Sequence, residues 1–138
     1  MKTVLGSNED QSSRVQAVCD MWGPTDFLQM GGWHNNVDSP ESLLVGGAIQ
    51  QHRKEVVRAN PITYVDPSDP PFLLLHGDRD RTVPINQSEL LHSALGKAGV
   101  SSLFIPLEGA GHGAREVPGS VFRQYVRAFF DRQLKGLG

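Results

Sequence analysis

The chain has 138 residues, of which 38% are apolar, and these values are typical of one globular domain with its own hydrophobic core. Its 13 basic and 15 acidic side chains give a net charge of -2 without a basic cluster, which argues against nucleic acid or an anionic membrane surface as the partner. No apolar stretch is long enough to span a bilayer, and the first residues lack the apolar segment of a signal peptide, so we expect a cytoplasmic protein.

The cysteine and histidine content gives no indication of a metal site. Cys19 is the single cysteine, so it cannot form an internal disulfide or join a thiolate zinc set, and its run "VQAVC" predicts a buried core thiol. Four histidines have no metal-like spacing and are interpreted as surface or structural groups: His34, His52, His76 and His92. We therefore expect neither a metal nor a cofactor.

Strand-like and helix-like segments alternate along the chain. Residues 14–19 are partly β-branched and are soon followed by the turn sequence "GPTD", which predicts a first strand. Ser39 and Pro40 then suit the start of a helix, and "AIQQHRKEVVRAN" predicts a second helix that ends before Pro61. We interpret residues 30–60 as a helical insertion over the sheet.

The second strand is predicted at 72–76, within the continuous apolar run "PFLLLHG", which is typical of a strand buried on both faces. Asn86 and Glu89 have the spacing of a capping box, and the apolar residues that follow predict a helix over 86–98, which Gly99 ends.

The third strand is predicted at 102–106 in "SLFIPL", where Pro106 indicates the strand's end or a sheet edge. An amphipathic pattern over 119–134 predicts a last helix that packs on the sheet. The order β-(α,α)-β-α-β-α predicts a parallel α/β sheet of about three strands with right-handed crossovers, formed by residues 1–138 as one domain.

Two loops carry the residues with catalytic chemistry. "HGDRDRTVP" follows the second strand and contains Asp80, whereas "EGAGHGAREVPG" follows the third strand and contains His112. Because functional groups in parallel sheets lie just past the carboxyl ends of strands, we expect the two side chains at one rim. A carboxylate there can accept the Nδ1–H of the imidazole and stabilise the imidazolium that forms when Nε2 takes a proton. Trp22 and Asp26 follow the first strand at the same rim, where a pocket or simple packing and turn chemistry both explain them.

These motifs, in this order, resemble the carboxyl-terminal half of the α/β-hydrolase fold, and in particular its small bacterial carboxylesterases and lipases. The resemblance extends over residues 12–134, from "SSRVQAVCDMWGPTDF" through "DPPFLLLHGDRD" to "GAGHG" and the last helix. The family pattern HG-x-x-D-x-x-V-P implies that Asp80 is the acid of a catalytic triad, and the family's histidine corresponds to His112. The fold class implied is a partial, truncated α/β-hydrolase fold.

The nucleophile of that family is missing from its usual place. The family carries its serine on a G-x-S-x-G elbow ahead of the acid, and no serine before Asp80 has glycine two residues away on both sides. Ser7, for example, is flanked by Leu5 and Glu9. "TVLGSN" resembles the end of the helix after the elbow, so we expect the chain to begin just after the serine's position. The oxyanion donors of the family, which are also expected upstream, are missing as well.

Three functions remain open at this point. The first is a carboxylic-ester hydrolase acting on short or activated esters, with His112 as general base, Asp80 as its orienting acid, and an unconventional nucleophile. That nucleophile is a serine, which another subunit could supply, the Cys19 thiol, or water. The alternatives are a non-catalytic binding domain and a truncated fragment. We favour the hydrolase.

Self-association is a further expectation. In the complete hydrolase fold the strand near Val15–Cys19 lies inside the sheet, whereas here its neighbour is missing. An open apolar edge of this kind is rarely left uncovered, so we expect a homo-oligomer, most simply a homodimer, with Val15, Ala17 and Val18 at or beside the interface.

Overall fold

Three parallel strands form the sheet in the computed structural model, which describes residues 10–136. The strands are β1 (Val18–Met21), β2 (Phe72–Gly77) and β3 (Ser102–Leu107), in the spatial order β1-β2-β3. Both pairings are parallel, as the sequence predicts. The predicted α/β class and the positions of the second and third strands are therefore confirmed.

The first strand begins later than predicted. The sequence indicated 14–19, but β1 runs from Val18 to Met21. The reason is the length of its partner: Val18 pairs with Phe72, the first residue of β2, and its N–H donates to Pro71 O at 3.0 Å. Residues before Val18 therefore have no strand alongside them, whatever their β propensity. Cys19 in this strand is half-buried rather than part of the closed core.

The core is centred on β2, whose three consecutive leucines, Leu73, Leu74 and Leu75, are completely buried. Alternate side chains of a strand point to opposite faces, so burial of all three requires cover on both faces of the sheet. Leu74 packs in one cluster with Leu91 and Leu95. This central position of β2 fixes the loop that follows it.

Within the described residues, four α-helices accompany the sheet: α1 (Pro40–Val45), α2 (Arg53–Ala59), α3 (Asn86–Lys97) and α4 (Gly119–Lys135). The predicted start of α1 is confirmed, because the Ser39 hydroxyl accepts a hydrogen bond from Ser42 N at 3.1 Å. The region that contains α1 and α2 supplies Ile49 and Val56 to a cluster with Val83 of the loop after β2.

The predicted capping box of α3 is wrong. Asn86 is already helical, and Ile85 before it has αR backbone angles and makes no side-chain cap. The helical turn starts at Pro84, whose carbonyl accepts from Gln87 N at 3.0 Å. Proline presets the backbone angle of a first turn, so no capping side chain is required. The Asn86 side chain instead donates to Gln29 O at 2.8 Å.

The last helix, α4, lies where the amphipathic pattern predicts it but has no fully buried residue. Val121, Tyr125 and Leu134 are among the large exposed apolar side chains of the described chain. Within residues 10–136, no helix combines the length and apolarity that crossing a membrane requires.

Candidate active site

Two loops meet at the carboxyl edge of the sheet. We call residues 78–85, which follow β2, the acid loop, and residues 108–118, which follow β3, the histidine loop. The register pairs Gly77 with Leu107, the last residues of β2 and β3, so both loops leave the sheet at the same level. The parallel arrangement therefore brings residues about thirty positions apart in sequence into contact.

Asp80 of the acid loop contacts His112 of the histidine loop, with Asp80 Oδ2 2.8 Å from His112 Nδ1. The Asp80 side chain is fully buried, whereas the His112 side chain is 44% exposed. The other carboxylate oxygen, Oδ1, accepts hydrogen bonds from Thr82 N at 2.8 Å and Val83 N at 2.9 Å. Backbone N–H groups of the acid loop thus fix the carboxylate, and the imidazole ring that it contacts is partly exposed.

This contact determines which ring nitrogen of His112 carries the proton. An ionised carboxylate only accepts hydrogen bonds, so a neutral His112 must carry its proton on Nδ1. Nε2 then has a lone pair, and no hydrogen bond within residues 10–136 uses it. A histidine held in this state can take a proton from a group bound at the surface, and the buried carboxylate stabilises the resulting imidazolium.

His76, at the end of β2, is a part of this site that sequence reasoning missed. Its ring is completely buried, and Nε2 lies 2.8 Å from Val83 O and 3.3 Å from Asp80 Oδ2. On the other side of the ring, Nδ1 lies 2.7 Å from Ser88 Oγ of α3. The available signal was its place in a buried strand four residues before the acid, because a buried polar ring needs partners.

Two carboxylates hold the histidine loop. Asp78 Oδ1 accepts from Gly109 N at 2.7 Å and so connects the acid loop to the histidine loop. Glu116 accepts from Gly111 N at 2.9 Å within the histidine loop, and this hydrogen bond is the main cause that lowers the pKa of Glu116. The backbone on both sides of Ala110 is therefore fixed just before His112.

Trp22 and Asp26, the two other rim residues, have different environments. The Trp22 ring lies beside His112, with ring centroids 6.2 Å apart, and meets Phe122 of α4 edge-on. Its backbone is in the left-handed region with φ of +60°, a conformation that bulky residues rarely adopt. Asp26 instead accepts from Leu28 N at 3.1 Å and caps a short 3-10 helix at Phe27–Gln29. Turn chemistry thus accounts for Asp26, and Trp22 forms one side of the His112 environment.

The serine hydroxyls and the Cys19 thiol were considered from the sequence as nucleophiles, and neither kind reaches His112 Nε2 within residues 10–136. No serine hydroxyl or cysteine thiol in that range forms a hydrogen bond with His112 Nε2. Burial raises the pKa of the Cys19 thiol, and the neighbouring Asp20 carboxylate raises it further, so both disfavour the reactive thiolate. Ser7 and "TVLGSN" lie outside the described residues. The described chain also contains no group of three His, Cys, Asp or Glu side chains that could hold a metal ion.

Two proteins that are similar to this chain in sequence are named as esterases. The chain is 42% identical over 106 residues to the esterase LipQ of Mycobacterium tuberculosis, covering 75% of this chain and 25% of LipQ. It is 32% identical over 108 residues to the esterase LipC of the same organism, covering 76% of this chain and 27% of LipC. The chain thus spans about a quarter of the length of these two relatives.

Among solved structures, a truncated form of a carbohydrate esterase from gut microbiota superposes with a TM-score of 0.83 at 32% identity. That match covers 94% of this chain and 46% of the esterase chain. The similarity to solved esterases confirms a partial α/β-hydrolase fold. The model of the BD-FAE family matches residues 1–95, which include Asp80 and His76. The chain therefore belongs to the BD-FAE family.

Proposed function

We propose that this chain provides the acid and base of a carboxylic-ester hydrolase that acts on short or activated esters. The observation that carries the proposal is the buried Asp80 carboxylate, 2.8 Å from Nδ1 of an exposed histidine. It is supported by the relatives of the chain, which are named as esterases.

In this reaction, His112 Nε2 removes the proton of a hydroxyl group or water as its oxygen attacks the ester carbonyl carbon. The tetrahedral intermediate then collapses, the bond to the leaving alcohol breaks, and the imidazolium returns the proton to that alcohol. Attack by water gives the free acid in this one step. Attack by a hydroxyl group leaves an acyl-enzyme, which a water molecule deprotonated by His112 Nε2 hydrolyses, and the imidazolium then returns the proton to the nucleophile's oxygen. Asp80 keeps its own proton state throughout and stabilises the imidazolium. The Trp22 ring beside His112 forms an apolar wall next to the acyl group.

The nucleophile comes from a group outside residues 10–136 of one chain, or is water. This follows from the free Nε2 position within that range and from the raised pKa of Cys19, which argues against the thiol. We expect low turnover, because the family's oxyanion donors are not recognised in this sequence and a single missing donor costs roughly 100- to 1000-fold. Activated aryl esters, whose leaving groups require little assistance, are the substrates to test.

The test is hydrolysis of a short p-nitrophenyl ester by the purified chain and its variants. We expect measurable turnover in the parent, none above background in His112→Ala, and a strong loss in Asp80→Asn, since the same change costs roughly 10⁴-fold in a complete triad. Glu108→Ala is the matched control, because Glu108 is an exposed histidine-loop residue and should leave the rate unchanged.

A fluorophosphonate probe with mass spectrometry then identifies the nucleophile: one labelled serine assigns it, whereas retained activity without labelling assigns water. If His112→Ala hydrolyses the ester as fast as the parent, the function as a hydrolase is wrong and a non-catalytic binding domain takes its place.

A further inference from the structure

The buried surroundings of Asp80 include a second histidine. Asp80 Oδ2, the oxygen that contacts His112, also lies 3.3 Å from His76 Nε2, and both side chains are completely buried. The contacts form a chain of side chains from α3 to the surface: Ser88, His76, Asp80 and His112. The mechanism described above uses only the last two.

We propose that His76 is a positioning residue that, together with Ser88, holds the Asp80 carboxylate aimed at His112. The proposal rests on the proposed function for its catalytic consequence, but the arrangement of hydrogen bonds can be tested by itself.

The partners of the His76 ring fix its tautomer. Nε2 lies 2.8 Å from Val83 O, and a carbonyl oxygen only accepts, so Nε2 carries a proton. Nδ1 lies 2.7 Å from Ser88 Oγ, and within the described chain this ring is the hydroxyl's one hydrogen-bond partner. The buried hydroxyl therefore donates to Nδ1, because its proton would otherwise be unsatisfied. His76 is thus neutral and presents an N–H group towards Asp80.

This N–H acts on Asp80 in two ways. Directly, it places an N–H group beside Oδ2, with Nε2 and Oδ2 3.3 Å apart, while the hydrogen bond of this N–H goes to Val83 O. Indirectly, it binds the carbonyl of Val83, whose own N–H donates to Asp80 Oδ1 at 2.9 Å. One ring therefore contacts Oδ2 and supports the donor to Oδ1. If Ser88 no longer donated to Nδ1, the ring could change tautomer and present a lone pair to Asp80, which would repel it.

The position of Asp80 determines the tautomer of His112. A displaced Asp80 no longer selects the Nδ1–H tautomer of His112, so the form with the proton on Nε2 increases. That form cannot accept a proton at the exposed nitrogen.

The experiment is NMR of the full chain labelled with 15N-histidine, which reports the protonation of each ring nitrogen separately. In the parent we expect His112 in the Nδ1–H form and His76 in the Nε2–H form. His76→Phe removes the donor at similar volume, and Ser88→Ala removes the hydroxyl. In both variants we expect the Nε2–H form of His112 to increase, with ester hydrolysis falling by up to roughly 100-fold, as small displacements of reacting groups can cause.

Two variants serve as controls. His76→Gln can place an amide N–H near the position of Nε2 and should restore most of the parent His112 tautomer. Ser93→Ala removes an exposed serine from the same helix and should change neither readout. If His76→Phe fails to fold, Ser88→Ala and His76→Gln decide the question.

The proposal is overturned if folded Ser88→Ala or His76→Phe keeps the parent ring signals of His112, or if His76→Gln loses them as His76→Phe does. Failure of the proposed function has a different signature, namely absence of ester hydrolysis in a parent whose ring signals are as expected.

Discussion

Asp20 is a residue whose charge opposes folding. It lies in β1, where burial raises the pKa of its carboxyl, although the hydrogen bond from Gly23 N partly offsets this. An acid whose pKa is raised by folding binds its proton more tightly in the folded state. Below the pKa of the unfolded state, about 3.9 for an ordinary aspartate, Asp20 is protonated in both states and does not lower the free energy of unfolding. Above the raised pKa of the folded state, it lowers the free energy of unfolding by its full amount.

We predict that Asp20→Asn stabilises the protein at neutral pH and has little effect near pH 3. Asparagine keeps an oxygen for the Gly23 N–H and carries no charge. The measurement is urea unfolding of parent and variant across this pH range, and the stability difference should grow as the pH rises. An equal difference at both ends would show that packing, rather than ionisation, causes it.

Asp131 serves as a control, because its pKa is lowered in the folded protein and not raised. The hydrogen bond from Lys135 is the main cause that lowers the pKa of its carboxyl, and this side chain is partly exposed. Its contribution is present above the unfolded pKa and is lost as the pH falls through the lowered one. Asp131→Asn should therefore destabilise slightly at neutral pH, with the difference disappearing in acid, because exposed ion pairs contribute little.

At the scale of elements, the histidine loop depends on the last residue of β2. A side chain on Gly77 would collide with the carbonyl oxygens of Ala110 and Gly111, which are backbone atoms and cannot turn away. The absence of a side chain at Gly77 lets the loop approach β2 closely enough for Arg79 N to donate to Ala110 O at 2.9 Å. The position of His112 is thus set partly by a residue of another element.

We predict that Gly77→Ala destabilises the chain by about 1–3 kcal/mol, as overpacking of a filled interior does. It should also lengthen the contact between Asp80 and His112. Chemical denaturation gives the first quantity, and the loss of the parent His112 ring signals in NMR reports the second. Gly96→Ala is the matched control, since a side chain there meets nothing within 4 Å. It should stabilise α3 by up to about 1 kcal/mol, because alanine is the better helix former. Equal effects of the two substitutions would contradict this account.

The sequence predicts some contacts of the site and not others. Asp80 and His112 each follow a strand with a strong apolar run, and parallel strand ends share one edge, so their proximity could be inferred without coordinates. The contacts of His76 with Ser88 and Val83 depend on how α3 and the acid loop fold back over β2. No periodicity in the sequence carries that information.

The boundaries of helices and strands also differ in how well the sequence predicts them. β2 and α4 were predicted closely because their patterns lie within one segment. The start of β1 was not, because it depends on where β2 begins, and the start of α3 was not, because Pro84 replaces a capping side chain. Local pattern therefore predicts that an element exists, while its ends depend on neighbours in space.

At the scale of the whole molecule, the two outer strands of the sheet differ. β3 contains Pro106, which has no N–H for a further strand and so protects that edge. β1 has no proline, and within the described chain it pairs with β2 alone. Beside it, Met21 lines a groove with Phe122 and Val126 of α4, the helix that has no fully buried residue. Val15, expected at an interface, precedes β1 and is exposed.

We propose that a second copy of the chain covers the β1 edge, giving a homodimer. The test is the substitution Met21→Lys, which replaces an exposed apolar side chain at this edge with a charged one. In a symmetric dimer, it brings two such charges near each other. The matched control is Leu103→Lys on β3, because Met21 and Leu103 are 41% and 54% exposed and both should tolerate lysine without unfolding. Sedimentation velocity should show a concentration-dependent dimer for the parent and Leu103→Lys, and a shift towards monomer for Met21→Lys, since edge lysines oppose strand pairing. A parent that sediments as a monomer at all concentrations, or a Met21→Lys variant that dimerises as the parent does, would exclude this edge as the interface.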